Sequence, residues 1–244
     1  MAGKRGLNAS VLFNGYDLSR YFKSAAPGTD IEMLDCTTFQ PPGGDKEFIV
    51  GFEDGKLSLE GFFQSDDVDE AAVDDVINSV IGSETKQVVT VSPENADTLG
   101  NRCFLVDADT ASYKVSSPVS GLVMSSAELQ SSSGLGYGFI LQALAALTTT
   151  GNGTSLDNTA ATTNGGAGHL HVTAASGSTP TLDAKIQHST DNSTWVDLIT
   201  FAQKTAIGAE RVEVTGTVNR YLRAIRTLGG SSPNFTVAIA FARY

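Results

Sequence analysis

Cysteine is scarce: Cys36 and Cys103 are the only two in 244 residues. Two thiols are too few for a disulfide framework, and this spacing matches no zinc or redox motif, so both are expected to be free and buried. Histidine is nearly as rare, at His169, His171 and His188. A serine nucleophile needs a base within hydrogen-bond reach, and no serine lies in a Gly-x-Ser-x-Gly elbow, so catalysis finds no support. Basic residues are also few. The 16 Lys and Arg stand against 27 Asp and Glu, a net charge of −11, which argues against a surface that grips nucleic acid through its phosphates. Apolar runs are only a few residues long, far below the roughly 20 needed to cross a bilayer, so no membrane span is expected. The start, from Met1 to Gly6, is basic, but the polar residues Asn8, Ser10 and Asn14 break up the next segment. Without an apolar stretch there, cytoplasmic synthesis without export is expected.

Glycine, by contrast, fills 25 positions, and hydrophobic residues make up 41% against 18% charged. That balance fits a globular, turn-rich protein and disfavours coiled coils and disorder. Charge is unevenly distributed. Up to Leu144 there are 9 basic and 21 acidic residues, a net of −12, whereas Ala145 onward has 7 and 6, a net of +1. The shift coincides with a small, polar run, Thr-Thr-Thr-Gly-Asn-Gly-Thr-Ser at 148–155, that can neither bury a face nor propagate a helix. The expected organisation is therefore a first domain over 1–147, a linker or arm over 148–168 and a second domain over 169–244.

Short alternations bounded by glycine and proline dominate the first domain. Leu57, Leu59 and Phe63 share one parity, with Ser58 and Glu60 between them, the signature of a half-buried strand. Other strands are expected at 9–13, 31–39, 86–91, 102–107, 112–115, 119–125 and 137–143. One segment differs. Between Ser65 and Gly82, Val68, Ala72, Val73, Val76, Ile77, Val80 and Ile81 form a helical stripe. Asp66, Asp67, Asp69 and Glu70 would complement the dipole in its first turns, and Gly82 would stop it. The second domain shows strands only, at 169–174, 182–188, 195–200, 210–215, 221–226 and 235–241. Asp191-Asn192-Ser193 and the run from Leu228 to Pro233 are expected to be turns. The fold class is mainly β: a barrel or sandwich with one packed helix, followed by a second all-β sandwich of jelly-roll or immunoglobulin-like type.

Constellations that could carry chemistry are weak. His169 and His171 point to one face of a strand and could pair on a metal, but a solvent-facing position opposite Leu170 and Val172 is the favoured expectation. His188 is expected to make a structural hydrogen bond. The acidic helix cannot wrap its carboxylates around one ion, so a solvated face is expected. Asx-turn chemistry accounts for Asp191 without an ion. Gly134-Leu-Gly136-Tyr-Gly138 precedes a strand, whereas phosphate loops open a helix. Trp195, Arg220 and Arg223 form a candidate surface ligand face, with core packing and salt bridging as the plainer alternative. No metal or cofactor is implied.

Asp35-Cys-Thr-Thr-Phe-Gln40, then Lys46 through Gly51 to the Glu60-Gly-Phe-Phe63 strand end, resembles the strand–loop–strand of major tail tube proteins of long, non-contractile-tailed phages. Asn14-Gly-Tyr-Asp-Leu-Ser19 and the acidic helix keep the same order, and the likeness covers much of 9–143. The stretch Ile186 to Leu198, with Val218 to Arg223 and Ser232 to Thr236, resembles a β-sandwich appended to phage tail proteins. The resemblance implies a virion protein, assembled in the host cytoplasm, whose hexameric rings stack into a tube. Subunits would share a continuous inner barrel with the helix outside it. Its partners would be other copies of itself, the tape measure, tail terminator and tail tip proteins, and DNA that passes without specific binding. Gln40, Pro41, Pro42, Gly43, Gly44 and Asp45 would form the ring-stacking loop, although two prolines and two glycines set it apart from relatives. Glu53, Asp54 and Glu60 are the lumen candidates, unless they face outward or pair with Lys46 and Lys56. A host-surface or carbohydrate-binding module, a capsid decoration protein and a β-sandwich glycosidase are the competing readings.

Overall fold

The computed structural model describes residues 8–39, 42–65 and 72–244. Among these the chain is mainly β with one short helix, in agreement with the alternation and the turn chemistry. The elements run β1 (Ser10–Phe13), β2 (Tyr16–Asp17), β3 (Phe22–Asp35), β4 (Phe48–Phe62), α1 (Val73–Asn78), β5 (Gln87–Ser92), β6 (Arg102–Ser116) and β7 (Met124–Leu147). They continue with β8 (Gly151–Asn152), β9 (Leu156–Asp157), β10 (Gly166–Ser189), β11 (Val196–Thr200), β12 (Gly208–Val214) and β13 (Tyr221–Arg243). Every strand pairing is antiparallel, and hydrogen bonds link all thirteen strands into one continuous network.

In the first half, the order β3-β4-β7-β6-β5-β1-β2 is set by alternation. Leu57 and Leu59 of β4 share a face with Ala127 and Leu129 of β7 and with Val106 and Ala108 of β6, and this face packs on Val73, Val76 and Ile77 of α1. Burying those side chains is what holds a helix of six residues, which would be marginal alone. Asp74 and Asp75 occupy its first turn, where the dipole favours anions. The helix is shorter than its apolar stripe suggests. Ser65 is not helical, Asp66, Asp67, Val68, Asp69 and Glu70 lie outside the described residues, and after Asn78 the chain tightens into i to i+3 bonds up to Gly82, whose φ is +72°.

The second half is built on one long ladder. β10 and β13 pair from Gly166 opposite Arg243 to Ser189 opposite Tyr221, with register shifts near Ser176 to Thr181. The sequence suggests separate strands at 169–174 and 182–188, and again at 221–226 and 235–241. The structure joins each pair into one strand. Gly177, Thr179, Gly230 and Ser232 adopt positive φ there, so the turn-forming residues make a corner in a continuous ladder and not a chain reversal. Both arms of each strand bury side chains in one cluster, Leu170 and Val172 beside Leu182 and Ile186, and Phe235 and Val237 beside Leu222. The strands expected at 102–107 and 112–115 likewise form one β6.

The polar run 148–168 is ordered on this second half: β8 and β9 pair with β13, and Thr162 bridges Val218. β7 also pairs with β13, from Gly138 opposite Ala242 to Leu147 opposite Phe235. A third, smaller core lies at this junction, with Ala238, Ala240 and Ala242 against Leu12, Leu105 and Ile140.

Candidate assembly interface

β3, β4, β7 and β6 form a four-stranded sheet with two open edges. Among the described residues β3 pairs only with β4, and β6 beyond Ala108 pairs only with β7. Unpaired edges are templates for further pairing. The face turned away from α1 is polar: strand alternation places Asp54, Lys56, Ser58 and Glu60 beside Ser126, Glu128 and Gln130 of β7 and beside Ser112 and Lys114 of β6. Its charges are mostly paired. Lys56 Nζ lies 2.8 Å from Asp54 and 3.2 Å from Asp30, Lys23 lies 3.9 Å from Glu60, and the Ser58 hydroxyl donates to Glu128 at 2.5 Å. The Lys56 ammonium holds the Asp54 carboxyl below its usual range.

Of the three acidic candidates, Asp54 and Glu60 therefore share this polar face. Glu53 has the parity of Gly55, Leu57 and Leu59 and belongs to the opposite one. Lys46 pairs with Asp35 instead, at 3.3 Å.

Beyond Lys56, β3 and β4 leave β7 and pair only with each other, so 31–35 and 48–54 form a two-stranded arm. The arm is apolar and uncovered: Phe52 is 84% exposed and Val50 70%, with Ile31, Met33, Phe48 and Ile49 beside them. Patches of this kind are rare on monomers and mark interaction sites. The described part of the expected stacking loop, Pro42 to Asp45, lies at its tip. Gln40 and Pro41 lie outside the described residues; Pro42–Gly44 make a 3-10 turn in which Gly43 and Gly44 have φ of +82° and +79°, and Asp45 is exposed. Cys36 is exposed at the arm's end and only Cys103 is buried, contrary to the expectation for both thiols, because among the described residues no second layer covers the arm. Burial pushes the Cys103 thiol up.

In the second half, Trp195 and Arg223 do meet, with the guanidinium 4.2 Å from the ring centroid and bonded to Gln187 Oε1 at 2.8 Å. Arg220 does not join them. It forms a fork on Asp157 at 2.6 and 2.7 Å, which holds that carboxyl down to about 2, and it stacks on Tyr221. Both guanidinium groups have partners within the chain. His188 Nδ1 accepts from Asn219 N at 3.2 Å, and Asp191 Oδ1 accepts from Ser193 N and Thr194 N, the structural roles expected for both.

His169 and His171 depart from expectation: they are 0% and 1% exposed, and both bond Thr90 of β5. Their strand is buried on both faces at 166–172 because β5 covers the side that alternation would leave to water. Among the described residues no three His, Cys, Asp or Glu side chains are grouped to hold a metal, and no helix is long and apolar enough to cross a membrane.

No protein-family description matches the chain, and no curated protein matches it. Solved structures with a similar course of chain include a protein of the virion of a native gene transfer agent particle, with 15% identity, a TM-score of 0.42, and 55% of this chain against 98% of that one. The SPP1 tail tube gives 14%, 0.41, and 53% against 76%. The SPP1 Dit protein, described as a hub of the adsorption apparatus in phages infecting Gram-positive bacteria, gives 13% and 0.37 over 97% and 99%. At these identities and scores the likenesses decide nothing about function.

Proposed function

We propose that the chain is a self-assembling structural protein of a phage tail, whose four-stranded sheet closes into a ring with its copies and whose rings stack into a tube. The observation that carries this reading is the β3-β4-β7-β6 sheet, with two open edges, one polar face and an apolar arm. Because the number of strands is even and all are antiparallel, β6 of one copy meets β3 of the next antiparallel as well, so repetition gives a seamless sheet. Six copies would make a barrel of roughly 24 strands, on the order of 50 Å across its strand axes, wide enough to keep an aqueous channel. The polar face lines that channel and α1 lies outside it. DNA passes without specific binding, the tape measure, terminator and tip proteins meet the tube inside and at its ends, and the C-terminal half is displayed on the outer side.

The arm reaches a neighbouring ring. An isolated two-stranded ribbon is marginal in water, and a second copy supplies the missing layer. Electron microscopy of purified protein is expected to show rings or tubes, and Phe52→Asp is expected to leave a folded chain that stays dispersed. Wild-type protein that remains monomeric at high concentration, or tubes undisturbed by Phe52→Asp combined with Val50→Asp, would overturn the proposal.

A further inference from the structure

A chain of buried hydrogen bonds crosses the junction between the two halves. Arg211 of β12, its side chain 8% exposed, places Nη1 3.0 Å from His169 Nε2. His169 Nδ1 lies 3.0 Å from Thr90 Oγ1, and that hydroxyl lies 2.9 Å from His171 Nε2. A guanidinium can only donate. His169 Nε2 must therefore accept, and His169 Nδ1 carries the proton and donates to Thr90; the Thr90 hydroxyl keeps its own proton free to donate to His171 Nε2. In neutral His171 the remaining proton is on Nδ1, which is buried without a partner. The arginine at one end thus fixes the tautomer of His169.

We propose that Arg211, His169, Thr90 and His171 form an acid-released latch that fastens β10 and β12 of the C-terminal half onto β5, with the β7–β13 ladder as the hinge. A proton on His169 Nε2 would set a second cation 3.0 Å from the guanidinium. A second proton on His171 would bury an imidazolium with no carboxylate against it and would take the acceptor from the Thr90 hydroxyl proton. Either event places an uncompensated charge in the closed junction and favours its opening.

The surroundings favour neutral rings. Burial, His171 and Arg211 all disfavour a charge on His169, and only the Val89 carbonyl favours one; burial holds His171 down to about 3. The other charged groups act on Arg211 and not on the rings directly. Glu213 of β12 accepts from its Nη2 at 2.7 Å, Tyr244 Oη lies at 2.7 Å, and Asp107 of β6 is 3.9 Å from Nε. Lys86 and Asp109, paired with each other, act on Asp107. The apolar part of the seam is weak, since half of its buried cluster is alanine.

Because the closed form holds both rings neutral and the open form protonates them near 6.5, closure is fully stabilised above that pH and weakens below it. Each ring changes the closed-to-open ratio about tenfold per pH unit, so the pair changes it about a hundredfold. The latch lies within one chain, so its test is independent of tube assembly. Hydrogen exchange of the full chain between pH 7.5 and 5.0, corrected for intrinsic exchange, is expected to show loss of protection in 166–172 and 208–214 while 56–62 and 124–130 keep theirs. His171→Gln, which cannot titrate, is expected to lower the slope to about tenfold per unit, and Thr90→Ser to preserve it. Unchanged protection in wild type, simultaneous opening of 56–62, or a wild-type slope in His171→Gln would overturn the proposal. Should His171→Gln fail to fold, the wild-type exchange pattern alone decides.

Discussion

At Asn14 and Gly15, a residue's backbone decides how the two halves meet. Their φ values of +48° and +90° make the tight turn between β1 and β2, the Asn-Gly pairing that two-residue hairpins favour. A Cβ on Gly15 would lie 2.6 Å from the backbone of Gly208 on β12, so the turn is also a contact point for the second half. Gly15→Ala combines backbone strain with overlap against backbone that cannot rotate away. The expected loss is about 2–5 kcal/mol, read from urea unfolding. Gly216, with φ of +88° but open space around it, carries the strain without the overlap and is the control.

Elements differ in what holds them. α1 is fixed by Val73 and Ile77, which are fully buried in the core cluster that β4, β6 and β7 share. Ile77→Ala deletes buried methyl groups and is expected to cost about 2–5 kcal/mol in chemical denaturation. The β3–β4 arm has the opposite character. Its large side chains face water in the free chain, so Phe52→Ala is expected to change unfolding by less than about 0.5 kcal/mol while weakening assembly. This contrast separates side chains that build the subunit from side chains that await a neighbour.

At the scale of the whole molecule, charge and composition divide the chain near 148, which suggests that a chain ending near Leu147 still polymerises. The β7–β13 ladder leads to the contrary expectation. Such a chain would lose the partner of Gly138–Leu147 and the alanines that cover Leu12, Leu105 and Ile140, leaving an open edge and exposed core. It is expected to aggregate, as measured by soluble yield and sedimentation. Tubes formed by the truncated chain would show that the halves fold separately.

Local pattern alone settled the strand-rich class, the buried parity of Leu57 and Leu59 with Glu60 outward, the apolar stripe at Val73, Val76 and Ile77, and the Asp191 turn. Each depends on residues a few positions apart, whose side-chain directions are set by strand or helix geometry. Tertiary structure decided the rest. His169 and His171 read as solvent-facing because alternation reports only their own strand, and β5, far away in sequence, covers them. Gly-Gly-Ser-Ser-Pro reads as a turn, yet the paired strand carries the ladder through it as a corner. Residues 31–39 read as one more strand, with nothing to say whether it is covered; the departure of β7 beyond Lys56 leaves the arm's apolar residues bare. Periodicity records how a backbone points its side chains, whereas burial depends on which distant segment arrives to cover them.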